Sequence, residues 1–148
     1  MSGAVDRSHK GSRVPSISVK DGSGQQLALE NVHGPMLINL WATWCAPCVV
    51  ELPMLDKVAG EQAGKLTVVT VSQDVSGMDK VPAFLSAKGG NHLKPWLDPD
   101  NTLADHYATG VLPTTVLYDK NGREVWRVVG GLDWSSPEGR KLVAEAVG

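Results

Sequence analysis

Apolar positions along the chain follow two periods, and the switches between them outline the elements. Residues 35–41 are almost unbroken in apolar side chains, the pattern of a strand covered on both faces of a partly parallel sheet. Over residues 45–62 the period becomes helical, with Val49, Leu52, Leu55 and Val58 three or four positions apart, so one stripe faces the sheet. Pro53 falls inside this helix and cannot donate to the carbonyl of Val49, which predicts a kink. Residues 66–72 read as a second buried strand. Strand, helix and strand in this order make a βαβ unit with a right-handed crossover.

The flanking segments are shorter. Residues 16–19 and 26–29 enclose Asp21-Gly22-Ser23-Gly24, which is turn chemistry and predicts a β-hairpin ahead of the main fold. Residues 78–87 form a helix candidate with Asp79 near its start and Gly89-Gly90 as its stop, and a second, short helix begins near Asp100. Residues 114–119 and 124–129 flank Asn121-Gly122, a strong signal for an antiparallel hairpin. Ser136-Pro137-Glu138 supplies a cap, a first-turn proline and an early acid, and starts a last helix that runs to about Val147.

Composition narrows the class without naming the chemistry. With 148 residues, one domain is expected. Fourteen Lys and Arg against 16 Asp and Glu leave a net charge of −2, so no basic excess argues for nucleic acid. The apolar run at residues 35–41 is interrupted by Asn39 and is far shorter than the roughly 20 residues that span a bilayer. Residues 1–13 are rich in Ser, Gly and charge and lack the apolar core of a signal peptide. They are expected to form a flexible segment or linker, either the start left by a removed segment or a natural cytosolic one, with the domain proper at 14–148.

Chemistry enters with the two cysteines, Cys45 and Cys48, in Trp44-Cys45-Ala46-Pro47-Cys48. A bridge between them closes too small a loop to stabilise the chain much, so it reads as a redox couple rather than a staple. Cys-x-x-Cys between a buried strand and a helix meets the context of the thioredoxin-like motif. At a helix N-terminus, unpaired N–H groups and the macrodipole favour thiolate over thiol. Cys45 is expected to be the affected and more exposed sulfur, with Cys48 pointing inward. A pKa lowered by about 1.5 from about 8.5 raises the thiolate fraction at neutral pH from about 3% to about 50%. Because nucleophilicity falls with pKa, the net gain in attack is only about threefold. Cys45 is then the sulfur that forms a mixed disulfide and Cys48 the one that resolves it. A structural zinc site would need four Cys or His ligands, and His9, His33, His92 and His106 show no finger-like spacing to the pair. Covalent haem attachment would need His where Val49 stands. No metal and no cofactor beyond the Cys45–Cys48 disulfide is expected.

The residues from Asn39 to Cys48, followed by Glu51-Leu52-Pro53, resemble the TlpA/ResA-like, DsbE/CcmG-related branch of the thioredoxin superfamily. Gly110-Val111-Leu112-Pro113-Thr114-Thr115 and Tyr118-Asp119-Lys120-Asn121-Gly122 are similar to that branch's second landmark. The resemblance implies an α/β thioredoxin fold, a three-layer α/β/α arrangement with a central mixed sheet, to which the N-terminal hairpin is an addition. It implies that Pro113 is the cis-proline facing the cysteines, the alternative being an ordinary trans proline at a strand start. It implies that Glu51 assists proton transfer, the alternative being a solvated surface carboxylate. Ordinary thioredoxins carry a buried aspartate at the position of Asn39, and Asn cannot take a proton, which leaves Glu51 as the better candidate. Trp44, Ala46, Pro47, Leu112 and Pro113 are the expected substrate contacts, with packing alone an equal reading for Trp44. Trp41 is expected in the core, and His106 and Asp74 carry no signal of function.

Together these readings make the chain a protein disulfide oxidoreductase. The branch implies an extracytoplasmic reductase, in a bacterial periplasm or on the outer face of a membrane, of the kind used in cytochrome c maturation or metal-site assembly. Its partners would be protein thiol or disulfide substrates and an upstream electron donor. The chain itself would be a monomer with no membrane segment of its own, tethered in the full-length protein if at all. Two alternatives stay open: a DsbA-like thiol oxidant, and a Cu(I)-handling or binding module, since two thiolates suit Cu(I).

Overall fold

In the computed structural model, which describes residues 1–147, the near-continuous apolar run forms a central strand buried at every position. From the N-terminus the elements are β1 (Ala4–Asp6), β2 (Ser18–Lys20), β3 (Gln26–Ala28), β4 (Met36–Trp41), α1 (Ala46–Glu61), β5 (Thr67–Ser72), α2 (Val81–Gly89), β6 (Trp96–Leu97), α3 (Thr102–Tyr107), β7 (Thr114–Tyr118), β8 (Glu124–Val129) and α4 (Pro137–Val147). The eight strands form one mixed sheet in the order β1-β8-β7-β4-β5-β6-β2-β3. β4 pairs β5 in parallel and β7 in antiparallel, so the strand leading to the cysteines lies between two long neighbours.

Alternation along β4 divides the interior. Leu37 and Trp41 join Leu52 and Leu55 of α1, Leu85 of α2 and Leu142 of α4 in one cluster. Met36, Ile38 and Leu40 face the other way, onto Leu103 and Tyr107 of α3 and onto Val19 and Leu29 of the N-terminal hairpin region. Three layers result, an α/β thioredoxin fold. Pro53 lies within α1, which runs without a break from Ala46 to Glu61. The helix expected from residue 78 begins with a 3-10 turn over Met78–Lys80 and becomes α-helical at Val81. At the turn after β7, Asp119 Oδ1 accepts from the Asn121 and Arg123 amides, and Gly122 takes the left-handed φ of +72° that asparagine-glycine turns need.

Two strands were not anticipated. β6 has only two residues, too short to show any period. β1 lies within residues 1–13, the segment expected to be a flexible linker. Its backbone instead pairs with β8, Ala4 opposite Val129 and Asp6 opposite Arg127. Further on, the Gly11 amide donates to the Glu124 carbonyl and the Glu124 amide to that of Ser12. Serine, glycine and charge did not prevent strand formation, because at a sheet edge the main chain supplies the bonds. On the α3 side of the sheet, Arg127 forms a bidentate, buried pair with Glu124 at 2.7 and 2.9 Å and donates to the Tyr107 carbonyl. This ties the end of α3, and the loop after it, to β8.

Candidate active site

β4 ends at Trp41, and the turn that follows is held by a carboxylate. Asp74, just past β5, accepts from the Thr43 amide and hydroxyl at 3.1 and 2.6 Å and from the Ser72 hydroxyl at 2.6 Å. With the Cys45 amide donating to the Ala42 carbonyl at 3.1 Å, the turn delivers Cys45 in extended conformation as the residue capping α1. Its own carbonyl accepts from the Val49 amide. The sulfur therefore sits where the first N–H groups of a 16-residue helix lack helical partners. Cys45 and Cys48 are joined in a disulfide with Cα atoms 5.3 Å apart. Both are buried, Cys45 at 6% exposure and Cys48 at 1%, the order expected from their places on the helix.

Glu51 lies one turn after Cys48 and is fully buried, not solvated. Its position on the stripe formed by Cys48, Leu52, Leu55 and Val58 faces it inward. Three neutral donors receive it. Oε2 accepts from the Leu132 amide at 2.8 Å and the Trp134 indole at 3.0 Å. Oε1 accepts from Asn39 Nδ2 at 3.4 Å, and Asn39 also donates to Thr115 Oγ1 at 3.0 Å. Burial raises the pKa of Glu51 from 4.5 to about 7, and the hydrogen bonds from Leu132, Trp134 and Asn39 only partly offset it. A carboxyl so placed can hold or release a proton near neutrality.

The other face of the motif is open. Trp44 is 72% exposed and lines a cleft of about 510 Å³ with Leu40, Gln73, Val75, Val111 and Leu112. The Leu112–Pro113 peptide bond is cis. Pro113 is buried, and its carbonyl accepts from the Gly130 amide at 2.8 Å. Among the described residues, Leu112 forms no hydrogen bond through its own N–H or carbonyl. Ala46 and Pro47 are exposed beside the disulfide. Of the expected contact residues, Trp44 and Leu112 line the cleft, and Ala46 and Pro47 stand between the two cysteines at the helix start. Trp41 is in the core, stacked on Phe84 with ring centroids 6.0 Å apart.

Leu132, Trp134 and Asp74 were missed as site residues. Glu51 on an apolar helix stripe was a signal that buried donors must exist somewhere. Nothing local at residues 132 and 134 said where, since they come from the loop after β8, 81 and 83 positions away. Asp74 showed only its place after a strand. No group of three or more His, Cys, Asp or Glu among the described residues could hold a metal ion, and no helix there is long and apolar enough to cross a membrane.

The profile of the AhpC/TSA family matches residues 10–125. Thioredoxin-like protein YneN of Bacillus subtilis is 32% identical over 114 residues, covering 76% of this chain and 67% of its own. Thiol-disulfide oxidoreductase ResA of the same organism is 31% identical over 123 residues, covering 82% and 68%. Among solved structures, one described as a thiol:disulfide interchange protein DsbE from Chlorobium tepidum superposes with a TM-score of 0.81 at 23% identity, over 94% of this chain and 98% of that one. StoA from Bacillus subtilis gives 0.68 at 21%, over 88% and 98%. At such identities these structures speak for the fold.

Glu51 also makes stability depend on pH in a direction opposite to that of a salt-bridged acid. The folded chain keeps this proton up to about 7 and the unfolded chain only up to 4.5, so between those values folding takes up a proton. Stability falls as pH rises through that window, by about 3 kcal/mol from this group. Urea denaturation of Glu51→Gln and the parent, both oxidised, from pH 4 to 8 is expected to show the variant gaining relative stability as pH rises. Parallel curves would contradict the buried carboxyl.

Proposed function

The chain belongs to the AhpC/TSA family and is a thiol-disulfide oxidoreductase of the ResA type, and from that premise we propose that it reduces disulfides of protein clients outside the cytoplasm. The observation that carries this reading is the Cys45–Cys48 disulfide at the start of α1 with the buried Glu51 carboxyl one turn behind it.

In the proposed cycle the Cys45 thiolate attacks one sulfur of the client disulfide, and the leaving client thiolate takes a proton. The mixed disulfide brings Cys48 into play. Glu51, ionised above its midpoint near 7, accepts the proton of the Cys48 thiol. The Cys48 sulfur then attacks Cys45 Sγ and releases the second client thiolate, to which the proton returns. One client disulfide becomes a dithiol: two electrons and the Cys48 proton come from the enzyme, now oxidised, and the first client thiolate takes its proton from the water to which Cys45 lost one on ionising. An upstream dithiol donor restores the reduced pair.

Client docking falls to the open face. Trp44 and Leu112 line the cleft, and the free N–H and carbonyl of Leu112 suit pairing with an extended client segment. Pro113 follows Leu112, immediately before β7. Ala46 and Pro47 flank the attacked sulfur. By resemblance, clients are cysteine pairs awaiting haem attachment or a metal, which must be dithiols before the next step.

Two measurements test the reading. Cys48→Ser is expected to accumulate mixed disulfides through Cys45 in extracytoplasmic extracts, identified by mass spectrometry; no capture by Cys48→Ser, or equal capture by Cys45→Ser, would refute the role of Cys45. Equilibration with glutathione is expected to give a potential nearer to about −270 mV than to about −120 mV, the span of couples on this fold. A value at the oxidising end would assign the chain as a DsbA-like oxidant instead.

A further inference from the structure

Residues 1–7 reach the active site from the β8 edge of the sheet. Before β1 pairs with β8, the chain crosses the loop at residues 130–132. The Gly3 amide donates to the Gly131 carbonyl at 2.7 Å. A Cβ on Gly3 would stand 2.5 Å from the Gly131 oxygen and 2.8 Å from the Gly130 oxygen, both main-chain atoms that cannot turn aside, so this approach requires glycine. Gly131 itself is buried, and a Cβ built on it would meet Pro47 Cβ at 3.5 Å and Met1 Cγ at 3.6 Å. Met1 and the proline of the cysteine motif thus close on the same residue. At its far end the segment is fastened to α4, where Arg7 forms a two-pronged pair with Glu145 at 2.8 Å.

The next residue of that loop is Leu132, whose amide donates to Glu51 Oε2. The geometry points to the N-terminal strap, residues 1–7, as a positioning element of the active site: it presses the 130–132 loop against Pro47 and so keeps the Glu51 carboxyl aligned and out of water beside the cysteines. This rests on the reading of Glu51 as the proton carrier.

The groups facing Glu51 leave few other causes for a change in its titration. From α1 they are the bonded Cys45 and Cys48, from β4 the neutral Asn39, from β7 Thr115, and from the loop the Leu132 amide and Trp134 indole. No charged side chain contributes to its pKa. Asp133 is exposed and turned to the Ser135 amide. The strap carries Asp6 and Arg7, with His9 just beyond it; Arg7 pairs with Glu145, and Asp6 accepts from the Ser8 amide and lies near His9.

Loosening the strap admits water to the loop. Water replaces the Leu132 amide as a donor but nothing replaces the lost burial, which is the larger influence on this carboxyl, so the net shift is downward. The test is carboxyl-carbon NMR of the glutamate-labelled, oxidised 148-residue chain, in which the cysteines do not titrate. Glu51→Gln identifies the resonance, and Ser2→Ala serves as a control that keeps Gly3. The parent and Ser2→Ala are expected to titrate near pH 7, and Gly3→Ala about one unit lower. The pH midpoint of resolution in single-turnover reduction of a disulfide peptide should move with it. Deletion of residues 1–3, which removes Met1 and the Gly3 amide without adding a clash, is read in the same way should Gly3→Ala not fold. An unchanged or higher midpoint in the strap variants, with the parent resonance still near 7, overturns the strap alone. A parent resonance in the ordinary carboxylate range overturns the Glu51 reading and the strap with it.

Discussion

One junction organises the molecule: a strand buried at every position ends, turns under the grip of Asp74, and releases Cys45 as the cap of a 16-residue helix. The sheet on either side of β4 makes the turn rigid, since β5 and β7 pair along its length. The rigidity matters chemically, because dipoles stabilise a charge only while they stay aimed at it. Moving the sulfur away from the helix axis would leave an ordinary thiol.

The same helix sets the second feature. Its stripe of inward positions runs through Cys48, Glu51 and Leu52, so a helix placed to present one sulfur outward must carry the carboxylate inward. Three hydrogen bonds meet it there, none from a cation, and desolvation outweighs them. An arginine in place of Trp134 would have fixed the acid as a permanent anion. Neutral donors leave it poised to exchange a proton, at some expense in folding stability. The strap at residues 1–7 belongs to the same economy, for it covers the loop that supplies one of those donors.

Periodicity in the sequence was enough for the central elements: β4, α1, β5 and the β7–β8 hairpin each lie within two residues of where the apolar pattern places them. It was not enough for β1 and β6, which owe their strand character to a neighbour's unpaired main chain rather than to their own side chains. The active site divides along the same line. Cys45 and Cys48 could be read from their spacing before a helix, and Glu51, three positions on, from the family resemblance. Leu132, Trp134 and Asp74 come to them only through the crossover topology. The cis bond before Pro113 leaves no trace in composition or spacing, and came from the family resemblance alone. Gly3 was read only as part of a linker and Gly131 was given no role, because the close approach that involves them joins main-chain atoms 128 positions apart.

The proposed cycle requires the capping sulfur to ionise easily. Thiolate absorbance should be titrated in the fully reduced protein and in Cys45→Ser. The parent is expected to show one transition well below about 8.5, the usual cysteine value, and the variant to lack it. Two thiols titrating at or above that value in the parent, or a low transition that survives in Cys45→Ser, would contradict the assignment of Cys45 as the nucleophile.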